Sequence, residues 1–284
     1  MDSPDPTSDP AADSMHARRA SSFGAAASAY AQHRPDYPLA AIAWAAEPIA
    51  ERPGRPIRIL DLGAGTGKLT AQLAGMEIHG EPAEVIAVEP DPGMLAELRR
   101  QVQAAGPRPG VTASAGRAEA IPLPDASLDL VIAGQAAHWF DLDRALPEIA
   151  RVLIPGGVFA GLWNADDDRV PWVAGLHRAS GRRTVVPVSN SAIRDDDAIS
   201  AWLRARGLDM FGPLEESVFE HEQTRTAESL IDTLRTHSMF LIMEPDEREA
   251  VLSEVRDYLA ATPQTSSGPF SLPIRTLAIR IPRR

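Results

Sequence analysis

The chain has 284 residues, 44% of them apolar, a formal net charge of −11 and no cysteine. That length and apolar share allow an ordinary globular core in one large domain or two small ones, and the missing cysteines exclude disulfides, thiolate metal sites and thiol nucleophiles. The negative balance argues against nucleic acid as a partner; with no basic-then-apolar leader and no apolar run near the ~20 residues that span a bilayer, the expectation is a soluble, cytoplasmic protein off the membrane.

Residues 1–20 are rich in Asp, Ser, Pro and Ala without an apolar period, which predicts a disordered tail. Residues 21–55 read as a helical lid. Its first Ala-rich stretch sets Tyr30 and Arg34 one turn apart, and a guanidinium is shaped to meet a carboxylate. Pro38 suits the first turn of a second helix carrying Leu39, Ile42, Ala46 and Ile49 on one face, stopped by Pro53-Gly54.

From Ile57 an apolar run reaches Leu62, meets Gly63-Ala64-Gly65-Thr66-Gly67, and continues with Leu69 and Leu73 at helical spacing. This is strand, tight turn, helix, a turn on which a ligand can rest against backbone that carries no Cβ. Spacing sorts the ligands. A phosphate-binding P-loop needs glycine where Leu62 stands and Ser or Thr where Leu69 stands, and the dinucleotide fingerprint needs Gly or Ala where Lys68 stands. Neither fits, which leaves Asp61 two positions before a Gly-x-Gly-x-Gly turn.

A second strand, Val85–Glu89, ends in an acid 26 positions beyond Gly63, placed to accept from the two hydroxyls of a ribose. Asp91-Pro92 opens a helix with Met94, Leu95, Leu98 and Val102 on one side. A third strand covers Val111–Ala115 and a fourth Leu128–Ala133, which leads into Gln135-Ala136-Ala137-His138-Trp139-Phe140. A helix bearing Leu146, Ile149, Ala150 and Leu153 ends at Pro155-Gly156-Gly157, and a fifth strand runs from Val158 to Trp163. Five strands alternating with helices predict a parallel sheet covered on both faces. Ligands of such sheets lie at the carboxyl ends of the strands, where Asp61, Glu89, Arg117–Glu119 and Gln135–Trp139 fall. Beyond Asn164 the spacing predicts helices around Asp196–Ala205, Ala227–His237 and Asp246–Leu259, a strand around Glu215–Glu220, and a last, alternating strand from Pro273 to Ile281 in the edge region.

The segments Asp61–Gly67, Glu89, Ala118–Asp125 and Arg151–Gly157 resemble, in order and spacing, the small-molecule class I S-adenosylmethionine-dependent methyltransferases. Gln135–Phe140 and the leader Phe23–Pro38 resemble the subgroup of trans-aconitate methyltransferase-like proteins, and residues 22–164 carry the resemblance. It implies an α/β, doubly wound, Rossmann-like fold: seven strands, mostly parallel with an antiparallel last strand, and helices on both faces. Residues 21–284 would form a single domain, with the lid at 21–55, a cofactor-binding core at 56–164, a substrate-facing insertion at 165–210, and C-terminal strands and helices at 211–284.

The same resemblance implies S-adenosyl-L-methionine as cofactor. Asp61 and the backbone of Gly63, Ala64, Gly65 and Gly67 would surround its amino-acid part, with Tyr30 and Arg34 toward its carboxylate. Glu89 and Pro90 would hold the ribose, Ala118 and Glu119 the adenine, and Gln135 would close the site at the fourth strand. Many relatives carry Asp at the position of Arg117; a guanidinium cannot accept a hydrogen bond, so the adenine would depend on Glu119, backbone or stacking. The implied reaction is in-line methyl transfer to an O, N or C atom of a small molecule by a monomer or homodimer without a metal. His138 is the candidate base if the acceptor must lose a proton, packing against the next helix being its plainer role. An acidic acceptor would meet Arg169, Arg178, Arg182 or Arg183. Two other readings are a non-catalytic S-adenosylmethionine-binding protein and a nicotinamide-dependent Rossmann oxidoreductase.

Overall fold

Successive side chains of a strand point to opposite faces, so a strand buried on both faces needs apolar residues in unbroken runs. Such runs make up most of the sheet in the computed structural model, which describes residues 34–50, 56–78, 80–104, 110–181 and 209–284. The strands are β1 (Arg58–Leu62), β2 (Glu84–Glu89), β3 (Val111–Ala115), β4 (Leu128–Gly134), β5 (Leu153–Asp166), β6 (Glu215–Arg225) and β7 (Phe270–Pro282). They form one seven-stranded sheet in the order β3-β2-β1-β4-β5-β7-β6. The pairs from β3 to β5 are parallel, and β7 runs antiparallel to both of its neighbours.

The helices are α1 (Leu39–Ala46), α2 (Lys68–Leu73), α3 (Pro92–Ala104), α4 (Leu142–Val152), α5 (Pro171–Ala179), α6 (Ala227–Arg235), α7 (Ser238–Leu241) and α8 (Pro245–Ala261). On one face Ile59, Val85, Leu130, Ile132 and Ala160 pack with Ile42 and Ala45 of α1 and Leu69 and Leu73 of α2. On the other, Leu60, Leu62, Val131 and Phe159 pack with Leu146 and Ile149 of α4. A third cluster joins α5, α6 and α8 to Phe270, Leu272 and Ile274 of β7.

Three features differ from the sequence reading. The last strand is interior, paired with β5 on one side and β6 on the other, and both of its faces are covered: Ile279 and Ile281 enter one core, Ala278 the other, and Thr276 is fully buried. The edge at this end is β6, five residues longer than its predicted span, with Glu216, Val218, Glu220 and Glu222 exposed on one face. Leu39, read as part of a buried face, is 68% exposed, and α1 buries Ala41, Ile42, Ala45 and Ala46. Helix α5, started by Pro171 in its first turn, fills a stretch read as irregular. The helix expected at Asp196–Ala205 lies outside the described residues.

Two of the motifs meet in one anchor. The Arg151 guanidinium donates to the carbonyls of Ile121 and Leu123 and to the carboxylates of Asp125 and Glu148, while Glu148 Oε2 accepts from the Ile121 amide. Arginine can do this because its five donors fan out in a plane. The loop from Ala118 to Asp125 is thereby fixed to the last turn of α4, beside the start of β4.

Candidate active site

The glycine turn is built as its spacing predicts. Gly63, Gly65 and Gly67 have φ of 71°, 58° and 91°, all left-handed, where a side chain is strained. A Cβ on Gly63 would stand 2.7 Å from Ala136 Cβ, and one on Gly67 would collide with Leu98 Cδ1. At Gly65 a Cβ would meet nothing within 4 Å, since this glycine faces a cavity of about 250 Å³. Two of the glycines therefore serve packing, and the middle one keeps a surface clear.

Two carboxylates close this cavity. Glu89, at the tip of β2, is 6% exposed; its Oε2 accepts from the Gly65 amide at 2.8 Å and its Oε1 from the Asp91 amide at 2.9 Å. Burial pushes its carboxyl up, and these two amides oppose the shift. Asp61, at the end of β1, is 1% exposed. Its Oδ2 accepts from Thr70 Oγ at 2.6 Å, and its Oδ1 is buried without a hydrogen-bond partner. Burial raises the Asp61 carboxyl to about 7; the Thr70 hydroxyl lowers it and the negative charge of Glu89 adds to the rise.

Arg34, Pro90, Ala118, Glu119, Gln135, Gly63 and Ala64 line the same cavity, so most of the expected site residues converge on it. Their contacts refine the expectations. The Arg34 Nε and Nη2 donate to Thr236 Oγ1 and to its carbonyl, each at 3.1 Å, which ties the segment before α1 to the end of α6. Glu119 Oε1 accepts from the Asp141 amide. Gln135 holds a left-handed φ of 54°, a conformation uncommon outside glycine and frequent at ligand sites; its Nε2 donates to the Asn164 carbonyl. Gly67 shapes the turn from behind rather than lining the cavity.

His138 is not among the cavity-lining residues. Its ring is exposed and lies against Trp139, and its Nδ1 accepts from Trp163 Nε1 at 3.3 Å. The short 3₁₀ turn Ala137–Trp139 instead presents Trp139, with Phe140 beyond it, to the cavity. Tyr30 lies outside the described residues.

Two contributors, Tyr37 and Asn164, were missed, and two others had no assigned role. Tyr37 rests its ring against Gly134, where a Cβ would stand 2.6 Å from its hydroxyl, and its backbone exchanges two hydrogen bonds with the Gln72 amide. Asn164 donates from Nδ2 to the Asp36 carbonyl and accepts at Oδ1 from Thr276 Oγ1, which is itself 3.0 Å from His221 Nε2. Trp139 and Phe140 stood in the stretch expected at the ligand end of the sheet, without an assigned role. Only Gly134 carried a signal, a small residue at a strand end that admits a ring.

A side cavity of about 40 Å³ adjoins the first and shares Arg34, Pro35, Gln135 and Asn164 with it. Arg225, 6% exposed, and Asp166 line it. Among the described residues no group of acids and histidines is arranged to hold a metal ion, and no helix is long and apolar enough to cross a membrane.

Comparison with known proteins extends these observations to the whole chain. Residues 60–161 match the methyltransferase domain family Methyltransf_11. An uncharacterised methyltransferase of Mycobacterium tuberculosis is 37% identical over 260 residues, covering 91% of this chain and 94% of its own. An uncharacterised methyltransferase-like protein of Schizosaccharomyces pombe is 32% identical over 84% of this chain and 86% of its own. Among solved structures, a candidate type II methyltransferase of Anaeromyxobacter dehalogenans superposes with a TM-score of 0.59 at 29% identity, over 88% of this chain and 97% of that one. Likeness along nine-tenths of the chain, on a sheet whose glycine turn and two acids face one cavity, settles the family: the chain belongs to the class I S-adenosylmethionine-dependent methyltransferases, enzymes whose cofactor is S-adenosylmethionine.

Proposed function

We propose that this enzyme methylates an O, N or C atom of a small molecule held beside Gln135, Trp139, Phe140 and Asn164. The cofactor suits the residues present. Asp61 Oδ1, buried and lacking a donor, matches the cofactor's ammonium group, and the open side of Gly65 leaves room for its chain. Glu89 accepts one backbone amide on each oxygen and keeps lone pairs for two ribose hydroxyls.

The observation that carries the small-molecule reading is the enclosure of the site. The Arg34–Tyr37 segment is fastened at Thr236, Gln72, Asn164 and, through Asp36, Lys68, and it lines the same cavity as the glycine turn. A net charge of −11 gives no support to a nucleic-acid acceptor.

The bound cofactor supplies a methyl group already activated on a sulfonium. The protein's own task is then to align the acceptor and exclude water, which proximity and desolvation accomplish without a covalent intermediate. His138 is exposed, accepts from Trp163 Nε1 and does not line the cavity, so in this reading it is a packing residue and the transfer proceeds without its help. The test is transfer of labelled methyl from S-adenosylmethionine into whole cell extract that is then separated by size, with His138→Ala run alongside. Label in a small product supports the reading and label recovered only in macromolecules refutes it; an unchanged rate in His138→Ala supports the packing role of His138, and loss of activity there refutes that role alone.

A further inference from the structure

We propose that the side cavity is an anion subsite, in which Arg225, whose Nε is buried without a hydrogen-bond partner, holds one carboxylate-sized group of the methyl acceptor, with the charge of Arg34 in the same wall. The inference rests on the small-molecule reading above and specifies the acceptor's chemistry. Position comes first: the side cavity opens where Gln135 and Asn164 also line the cofactor cavity, so a molecule with one end there presents its other end to the methyl group.

Charge comes second. The described lining carries two guanidinium groups, Arg34 and Arg225, against one carboxylate, Asp166, whose Oδ2 is 3.1 Å from His177 Nε2. Arg225 is 6% exposed, and burial pushes its guanidinium down while Asp166 and Asp36 draw it up. A guanidinium stays charged even so, and its planar fork pairs two donors with two carboxylate oxygens. Gln223 adds a buried Oε1 without a hydrogen-bond partner in the same lining, and a turn of its amide presents an N–H there instead.

Size comes third. A water needs roughly 10–15 Å³ of such space, so about 40 Å³ admits one small polar group rather than a whole acceptor. Leu230, Leu234, Leu272 and Ile274 make the remaining wall, which suits the aliphatic carbons next to a carboxylate. The arginines considered from sequence do other things: Arg169 is exposed and paired with Asp167 and Glu220, Arg178 is exposed, and Arg182 and Arg183 lie outside the described residues.

The experiment is calorimetric titration of the full chain, saturated with S-adenosylhomocysteine, with butanoate and hexanoate, and with butanamide and butyl phosphate as matched controls. Saturable binding of the carboxylates alone is expected, weakened about tenfold or more in Arg225→Gln and less in Arg225→Lys, as loss of a charge-assisted pair predicts. The affinity for S-adenosylhomocysteine should stay the same. Gln223→Leu, at a partly exposed residue, gives a second variant should Arg225→Gln fail to fold, and it too should weaken the carboxylates. Equal binding of butanamide, stronger binding of butyl phosphate, or carboxylate binding indifferent to the variants overturns the subsite. Methyl transfer to a small molecule that continues under any of those outcomes leaves the reaction standing without it, whereas label found only in macromolecules removes both.

Discussion

Asp61 should make both stability and cofactor binding depend on pH. Its folded carboxyl lies near 7 against an ordinary 3.8, so between those values the folded protein holds a proton that the unfolded chain has lost. Stability contributed by this group is complete below about pH 4 and falls as pH rises toward 7, by about 4 kcal/mol in all. Binding runs the other way. An ammonium beside Oδ1 favours the carboxylate, so S-adenosylmethionine should bind about tenfold more weakly per pH unit below 7 and release a proton as it binds. Calorimetry in buffers of different ionisation enthalpy reads that proton, and Asp61→Asn should abolish it; equal release in the variant would assign the proton elsewhere.

Glu89→Gln keeps the shape but sets an amide N–H against a backbone N–H of Gly65 or Asp91. It should weaken cofactor binding about tenfold or more, by the cost of one charged hydrogen bond lost and one donor left facing another. Asp61 and Glu89 were both legible because each stands at a fixed offset from the glycine turn. Asn164 was not: its role exists only because Thr276 and Asp36, 112 and 128 positions away, arrive on either side of it.

The turn from β1 into α2 separates two duties of glycine that sequence alone merges. Gly65→Ala meets no atom and should lose only about 1–2 kcal/mol for its left-handed φ, yet it should abolish cofactor binding by filling the cleared surface. Gly67→Ala adds a collision with Leu98 to a similar strain and should cost clearly more stability. Urea denaturation of both beside cofactor titration tests the pair, and equal stability would contradict the packing role of Gly67. The motif from Arg151 to Gly157 was recognisable from resemblance, but its physical role was not. Arg151→Ala should cost about 2–4 kcal/mol by leaving the Ile121 and Leu123 carbonyls and two carboxylates without their donor. A urea midpoint near wild type would show instead that the loop holds without it.

Strand-helix alternation made the parallel half of the molecule legible, since right-handed crossovers leave few orders open to such a chain. The antiparallel end was harder. Alternation in Pro273–Ile281 marks a strand but does not name its neighbours; the ladders to β5 and β6 place it inside, where Thr276 and Ala278, neither strongly apolar, are fully buried. In the third core α6 and α8 were readable as separate helices, while α5, behind Pro171, and the face the three share were not.

The interior place of β7 also sets a timetable. Every strand from β1 to β5 finds a parallel neighbour soon after it is made, but β6 pairs only with β7. Glu215–Arg225 must therefore wait while more than forty further residues emerge, up to Phe270, before its backbone has anything to bond. During synthesis the half that holds the glycine turn can assemble while Arg225 still lacks its setting. The topology thus allows most of the cofactor side to form before the side cavity has its last wall.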